Sequence, residues 1–392
     1  LDIKLANRVQ RVKPSPTLAV TAKAAELRAA GKDIIGLGAG EPDFDTPEHI
    51  REAAIAAINE GETRYTPVDG TPALKKAVIN KFKRENGLDY DGKQVLVSSG
   101  AKHSLYNLMC ALLNEGDEVI IPAPYWVSYP DMAKLADAEP VIIEAGQKQG
   151  FKITPEQLEG AITERTRLFV INSPSNPTGS AYTKDELAAL GAVLKKHPEI
   201  VVVTDDIYEH ILFEGEFVNI VNACPELKDR TVVVNGVSKA YAMTGWRVGY
   251  AAGPEALIGA MKKIQSQSTS NPASVSQAAS VAALDGDQGC IPPMLEQFKK
   301  RHDFVVDALN KIDGVECRPC EGTFYCFPNM QGAIDKLDGV SNDVELAGFL
   351  LEQGVALVPG SAFGLDGYAR ISFATSMENL EKAMARIAEA LN

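Results

Sequence analysis

The chain has 392 residues, 45% of them hydrophobic and 23% charged, an ordinary composition for a globular protein and long enough for two apolar cores. Its 39 basic and 52 acidic residues leave a formal net charge of -13, which opposes attraction to phosphate backbones or anionic lipid and argues against nucleic-acid and membrane partners. No stretch approaches the roughly 20 continuous apolar residues of a bilayer span, and LDIKLANRVQRVKPSPT lacks the apolar core of a secretion signal, so a cytoplasmic location is expected.

In chain order, residues 1–45 precede any large sheet and are expected to complete a smaller domain. Glycines 36, 38 and 40 in GLGAGEP do not have the G-x-G-x-x-G spacing of a dinucleotide fold. Pro42 follows at once, and the next helix is expected to start with Thr46 as N-cap and Pro47 in its first turn. From there, apolar β-branched runs alternate with helical patterns. QVLVSS (94–99), EVIIPA (118–123), PVIIEA (140–145), RLFVINS (167–173), IVVVTDD (200–206) and TVVVNG (231–236) are the predicted buried strands. AKHSLYNLMCALLNEG and TKDELAALGAVLKKHP are amphipathic helices between them. The alternation predicts an α/β fold over 46–290, a mostly parallel central sheet flanked by helices on both faces. Residues 291–392 differ: a helix through KKRHDFVVDALNKI, short strands around GTFYCFP, GVALVPG and YARISFATS, and a closing helix from Ser376 predict a smaller α+β domain. Six scattered cysteines are too few for a disulfide scaffold. Cys317 and Cys320 form the one C-x-x-C pair, without the further ligands of a zinc site, so no metal is expected.

Ligands of parallel sheets bind beyond the carboxyl ends of the strands, and the chemically suggestive residues fall there. Lys239 and Arg247 are the only formal charges from Thr231 to Gly253. An amine isolated among apolar and small residues loses hydration, which lowers its pKa and makes it the nucleophile a Schiff base requires. Asp205 and Asp206 end a buried strand, with Tyr208 in the same turn. Either acid could cap a helix, or one could hold a heteroaromatic nitrogen protonated. Gly100, in SSGAKHS, stands between a strand and a helix whose N-terminal amides could cradle a phosphate, with Arg247 as the cationic fork. Asn176 precedes a proline in SPSNPTG, which restrains its backbone and aims its amide.

SPSNPTG, TDDIYEH, SKAYAMTGWRVGY, GAGEPDFDTP, APYWVSYP and YARISFATS occur over nearly the whole chain. Together they resemble the class I aminotransferases of the aspartate aminotransferase family, which are fold-type I pyridoxal-phosphate enzymes, and within it the bacterial subgroup that includes prephenate-using members. The resemblance implies the pyridoxal-phosphate-dependent transferase fold, pyridoxal 5'-phosphate as cofactor, and amino transfer from L-aspartate to 2-oxoglutarate by a ping-pong cycle. Prephenate or glutamate would be further substrates. An aromatic or broad-specificity aminotransferase, or a pyridoxal-phosphate lyase, would share the same cofactor contacts.

By that resemblance Lys239 would bind the cofactor aldehyde and later shuttle the proton, and Asp205 would keep the pyridine nitrogen protonated. Tyr208 and Asn176 would bond the phenolic oxygen, and Trp126 would stack on the ring. Gly100, Ala101, Lys102 and Arg247 would hold the phosphate, joined by Tyr65 from a second subunit, which makes the expected assembly a homodimer with shared active sites. Arg370 would grip the substrate α-carboxylate, and Gly40 would bring its backbone close to the same group. Ser15, Thr17 and Lys102 would read the distal carboxylate, so that Lys102 serves either phosphate or substrate.

Overall fold

A computed structural model describes residues 3–392. Its twelve strands are β1 (Ile35–Gly36), β2 (Val95–Ser98), β3 (Glu118–Ala123), β4 (Glu139–Glu144), β5 (Thr166–Asn172), β6 (Val201–Asp205), β7 (Thr231–Gly236), β8 (Gly249–Ala252), β9 (Tyr325–Cys326), β10 (Val355–Ala356), β11 (Val358–Pro359) and β12 (Ala369–Ser372). Seven of them form the main sheet in the order β2-β8-β7-β6-β5-β3-β4. The pairs β3–β4, β3–β5, β5–β6 and β6–β7 are parallel. All six strands read from the sequence are present, within one residue at either end.

The sheet is buried on both sides because alternate side chains of each strand point to opposite faces and both faces are apolar. Val97, Phe169, Val202 and Val233 belong to one core, shared with Leu74, Val78 and Phe82 of the helix Pro72–Asn86 and with Leu187 and Leu190 of the helix Lys184–Leu194. Leu96, Val119, Val203 and Val232 belong to the other, with Leu105 and Leu108 of the helix Ala101–Leu112 and Ile258 and Met261 of the helix Glu255–Ser266. Each aliphatic side chain so withdrawn from water contributes about 1.5–3 kcal/mol.

One strand was not foreseen, and one helix start needs correction. The sheet contains β8, which was not foreseen, and β8 runs antiparallel to both β2 and β7. Its GYAA sequence lacks β-branched residues because close approach matters more than propensity here: a Cβ on Gly249 would collide with the backbone nitrogen of Ala101, at the start of the following helix. The helix Glu48–Asn59 begins one residue late, with Pro47 at its N-cap. The Thr46 hydroxyl caps nothing; it donates to Ala242 O at 2.7 Å and accepts from Trp246 Nε1 at 3.0 Å, joining this segment to the loop that follows Lys239.

A separate core lies under the remaining strands. β11, β12 and β9 form an antiparallel sheet, and β1 pairs in parallel with β10, which brings the N-terminal segment against the C-terminal part of the chain. The helix Ile291–Leu309 contributes Ile291 to the main core and Met294, Phe298, Val305 and Leu309 to this one. The closing helix Met377–Leu391 starts as expected at Ser376, whose hydroxyl accepts from Asn379 N at 3.2 Å. Among the described residues no helix is long and apolar enough to cross a membrane.

Candidate active site

The carboxyl ends of β5, β6 and β7 open into a cavity of about 250 Å³. Its walls include Ser15, Thr17, Gly40, Gly100, Ala101, Lys102, Trp126, Asn176, Asp205, Tyr208, Lys239, Arg247 and Arg370. Of the residues to which the resemblance gives a site role, Tyr65 alone stands elsewhere, 94% exposed.

Lys239 follows β7. Burial is the main cause that lowers its pKa to about 8, and the nearby Arg370 and Arg247 add to it against Glu41 and Asp205. Its ammonium donates to Gly40 O and sits 5.8 Å from the centre of the Tyr208 ring. Asp205 is the last residue of β6. Burial pushes its pKa up to about 6, opposed by the hydrogen bond from Tyr129, the Ile207 N–H and the Lys239 charge. The Tyr129 hydroxyl donates to Asp205 Oδ2 at 2.6 Å, and Ile207 N donates to Oδ1 at 3.4 Å. Asp206 points the other way, taking hydrogen bonds from Thr204 and Asn219, so neither acid caps a helix.

Asn172, the last residue of β5, ties these parts together. Its Nδ2 donates to Asp205 O at 2.7 Å, and its Oδ1 accepts from Asn176 N at 2.8 Å. The Asn176 side chain in turn accepts from Arg370 Nη1 at 2.9 Å through Oδ1, which leaves its NH2 free to donate. Arg370, 2% exposed, also donates to Gly38 O at 2.8 Å and stacks over the Tyr325 ring at 4.4 Å. Its Nε is buried without a partner. The Tyr325 hydroxyl lies 3.0 Å from that of Tyr208. Tyr129, Asn172 and Tyr325 all line the cavity and were not picked out from the sequence. Tyr129 stood in the quoted APYWVSYP run, and Asn172 lies next to the end of the predicted strand 167–173, where the sheet rule points to ligands.

At the opposite end, Gly100 precedes the helix Ala101–Leu112, which has no capping side chain; His103 N donates to Gly100 O at 3.0 Å, and Ala101 and Lys102, at the helix start, line the cavity. Gly100 has φ +91° and a Cβ there would stand 2.5 Å from Arg247 Nη2, so only glycine admits the guanidinium beside the helix start. Lys102 is held below its ordinary value by burial and by Arg247, with its ammonium 4.8 Å from the Trp126 ring.

The donor set suits pyridoxal 5'-phosphate. The uncapped helix start with Arg247 matches a phosphate, the buried Asp205 anion matches a cationic pyridine nitrogen, and the Lys239 amine matches an aldehyde. The orphaned Arg370 Nε, with its neighbouring nitrogen, is a fork for a carboxylate in addition to the cofactor.

Residues 32–387 match the model of the family described as aminotransferase class I and II. The chain is 60% identical to an aspartate/prephenate aminotransferase of Nitrosomonas europaea, over all of both chains. It resembles the solved aspartate aminotransferase from Rhizobium meliloti with a TM-score of 0.96 and 50% identity, covering 100% of this chain and 99% of that one. For the aspartate aminotransferase from Thermus thermophilus with maleate the TM-score is 0.93 and the identity 43%, over the whole of both chains.

Proposed function

Because the chain belongs to the class I and II aminotransferases, which are pyridoxal-phosphate enzymes, we propose that it moves the amino group of L-aspartate to 2-oxoglutarate, giving glutamate, and accepts prephenate as a further substrate. The carrying observation is that Lys239, Asp205 and Arg370 share one cavity, an amine, an anion and a carboxylate fork with no other business in common. When bound, the cofactor would supply an electron sink for the electrons at the substrate Cα and an acceptor for the amino group.

The protein's own groups do the rest. Lys239, low in pKa, would hold the cofactor aldehyde and, when free, would serve as the base that moves the proton at the substrate Cα. Asp205 keeps the pyridine nitrogen protonated. The Tyr208 hydroxyl and the free Asn176 amide donate to the phenolic oxygen, and Trp126 covers a ring face. Gly100, Ala101 and Arg247 bind the phosphate. Arg370 takes the α-carboxylate, with the Gly40 backbone alongside, and Ser15 and Thr17 take the distal one; Lys102, beside both Trp126 and Arg247, serves either the distal carboxylate or the phosphate.

The same reading takes 46–290 as the cofactor-binding domain and joins 1–45 to 291–392, in line with the β1–β10 pairing. It makes the enzyme a cytoplasmic homodimer in which the exposed Tyr65 reaches the phosphate of a second copy. Spectral titration of the purified protein with single amino acids, followed by identification of the keto acids, tests it. Conversion of the cofactor to its amine form by aspartate and glutamate is expected. Conversion only by neutral or cationic amino acids refutes the dicarboxylate assignment, and release of ammonia with the cofactor left in its aldehyde form would mean a lyase.

A further inference from the structure

Behind the turn that carries Asp205 and Tyr208 lies a second polar cluster, outside the cavity. Lys81, on the helix Pro72–Asn86, is fully buried. Its ammonium meets the carboxylate of Glu209, itself buried, and donates to Asn86 Oδ1 at 2.8 Å, while Asn86 Nδ2 donates to the second Glu209 oxygen at 3.0 Å. Glu85 stands 3.6 Å from the ammonium, and His210 lies 2.9 Å from Glu85. Glu209 Oε1 has no hydrogen-bond partner to set beside the Lys81 charge.

Stability alone does not account for such a pair. Removing two charges from water costs several kcal/mol per ion, and apolar side chains of the same volume would fill the space without that cost. Position does account for it. Glu209 directly follows Tyr208, and its N–H donates to Asp206 O at 2.9 Å; at the other end of the turn, Asp206 N donates to Val234 O at 2.9 Å. The turn is therefore held by β7 on one side and by Lys81 on the other. Charge is balanced at the same point: burial and Glu209 push Asp206 up to about 7, and Lys81 works against that rise while holding Glu209 in its ionised form.

We propose that Lys81 is a positioning residue for the transamination: through its ion pair with Glu209 it fixes the turn 205–209, and so sets the Asp205 carboxylate and the Tyr208 hydroxyl against the cofactor ring. The proposal rests on the roles given to those two residues above.

The test uses the double variant Lys81→Met/Glu209→Gln, which leaves neither charge of the pair buried alone and so keeps the experiment valid where Lys81→Met by itself fails to fold. Tyr208→Phe is carried in parallel. For the double variant, kcat is expected to fall about tenfold with KM for aspartate within about twofold, as follows from displacement of reacting groups without loss of a substrate contact. The dissociation constant of pyridoxal phosphate from the apoprotein, read by quenching of tryptophan fluorescence, is expected to rise about tenfold. A double variant with wild-type kcat and cofactor affinity, whatever its melting temperature, overturns the proposal, as does a change confined to KM. If Tyr208→Phe also leaves both quantities unchanged, the assignment of the turn falls with it; if Tyr208→Phe lowers kcat and the double variant does not, only the role of Lys81 falls.

Discussion

The sharpest consequence of the site geometry concerns the proton on Lys239. Burial foremost, then the Arg370 charge, brings its pKa from an ordinary 10.5 to about 8. At pH 7.5 about a quarter of the side chains are then neutral, against about one in a thousand for an ordinary lysine, a gain of about two-hundredfold in reactive amine. Mixing the apoprotein with pyridoxal phosphate in a stopped-flow spectrometer, from about pH 6.5 to 10.5, measures this directly. The ratio of its bimolecular rate to that of a simple alkylamine, which removes the aldehyde's own titration, should be high and constant below about pH 8 and then fall about tenfold per pH unit toward pH 10.5, as the Lys239 amine saturates while the alkylamine goes on losing its proton. A rate that keeps pace with the alkylamine up to pH 10 would refute the argument. The stability of the apoprotein must follow the same group. Between about pH 8 and 10.5 the unfolded chain still holds the proton that the folded chain has released, so this contribution to stability rises with pH in that window. Below it, the buried ammonium is a constant cost of about 3 kcal/mol.

Asp205→Asn removes a carboxylate that burial has pushed up to about 6. The apoprotein should gain about 2–3 kcal/mol at pH 7.5, an advantage complete above pH 6 and gone by about pH 4, while turnover drops at least a hundredfold; calorimetry showing no gain would contradict the cost assigned to the buried anion. Tyr129→Phe deletes the hydroxyl that donates to Asp205 at 2.6 Å. A hydrogen bond to a charged group is worth about 1.5–3 kcal/mol, so the Asp205 pKa should climb by about one unit or more and the acid limb of kcat should move to higher pH by the same amount. An unmoved limb would mean that Asp205 is not the group titrating there.

The parallel strands were legible because a strand buried on both faces must be apolar at every position, and the runs ending in Asn172, Asp205 and Gly236 have that character. β8 was not, since the close packing of Gly249 on Ala101 calls for small residues that carry no strand signal. Lys239 stood out through the absence of other charges around it, a local property of the sequence. Tyr129 and Tyr325 did not, because a buried tyrosine in a motif or a short strand reads as core until a contact 76 or 117 residues away gives its hydroxyl a task. Lys81 was hidden for the same reason: on a helix otherwise rich in lysine it looks like one more solvated cation, and only the fold places Glu209 beside it. Thr46 misled because a threonine before proline is a good cap in isolation, and its hydroxyl was already committed to Ala242 and Trp246.

Two backbone oxygens in the segment 38–40 are occupied by side chains that the proposed reaction would require elsewhere. Gly38 O receives the Arg370 guanidinium and Gly40 O receives the Lys239 ammonium. When a carboxylate draws on the first and an aldehyde takes the second, these carbonyls must exchange their donors for water or turn aside. Ligand affinity at this centre is therefore a difference between two sets of bonds rather than the strength of one, and a change that merely loosens the grip on those oxygens would tighten binding without adding a contact to the ligand.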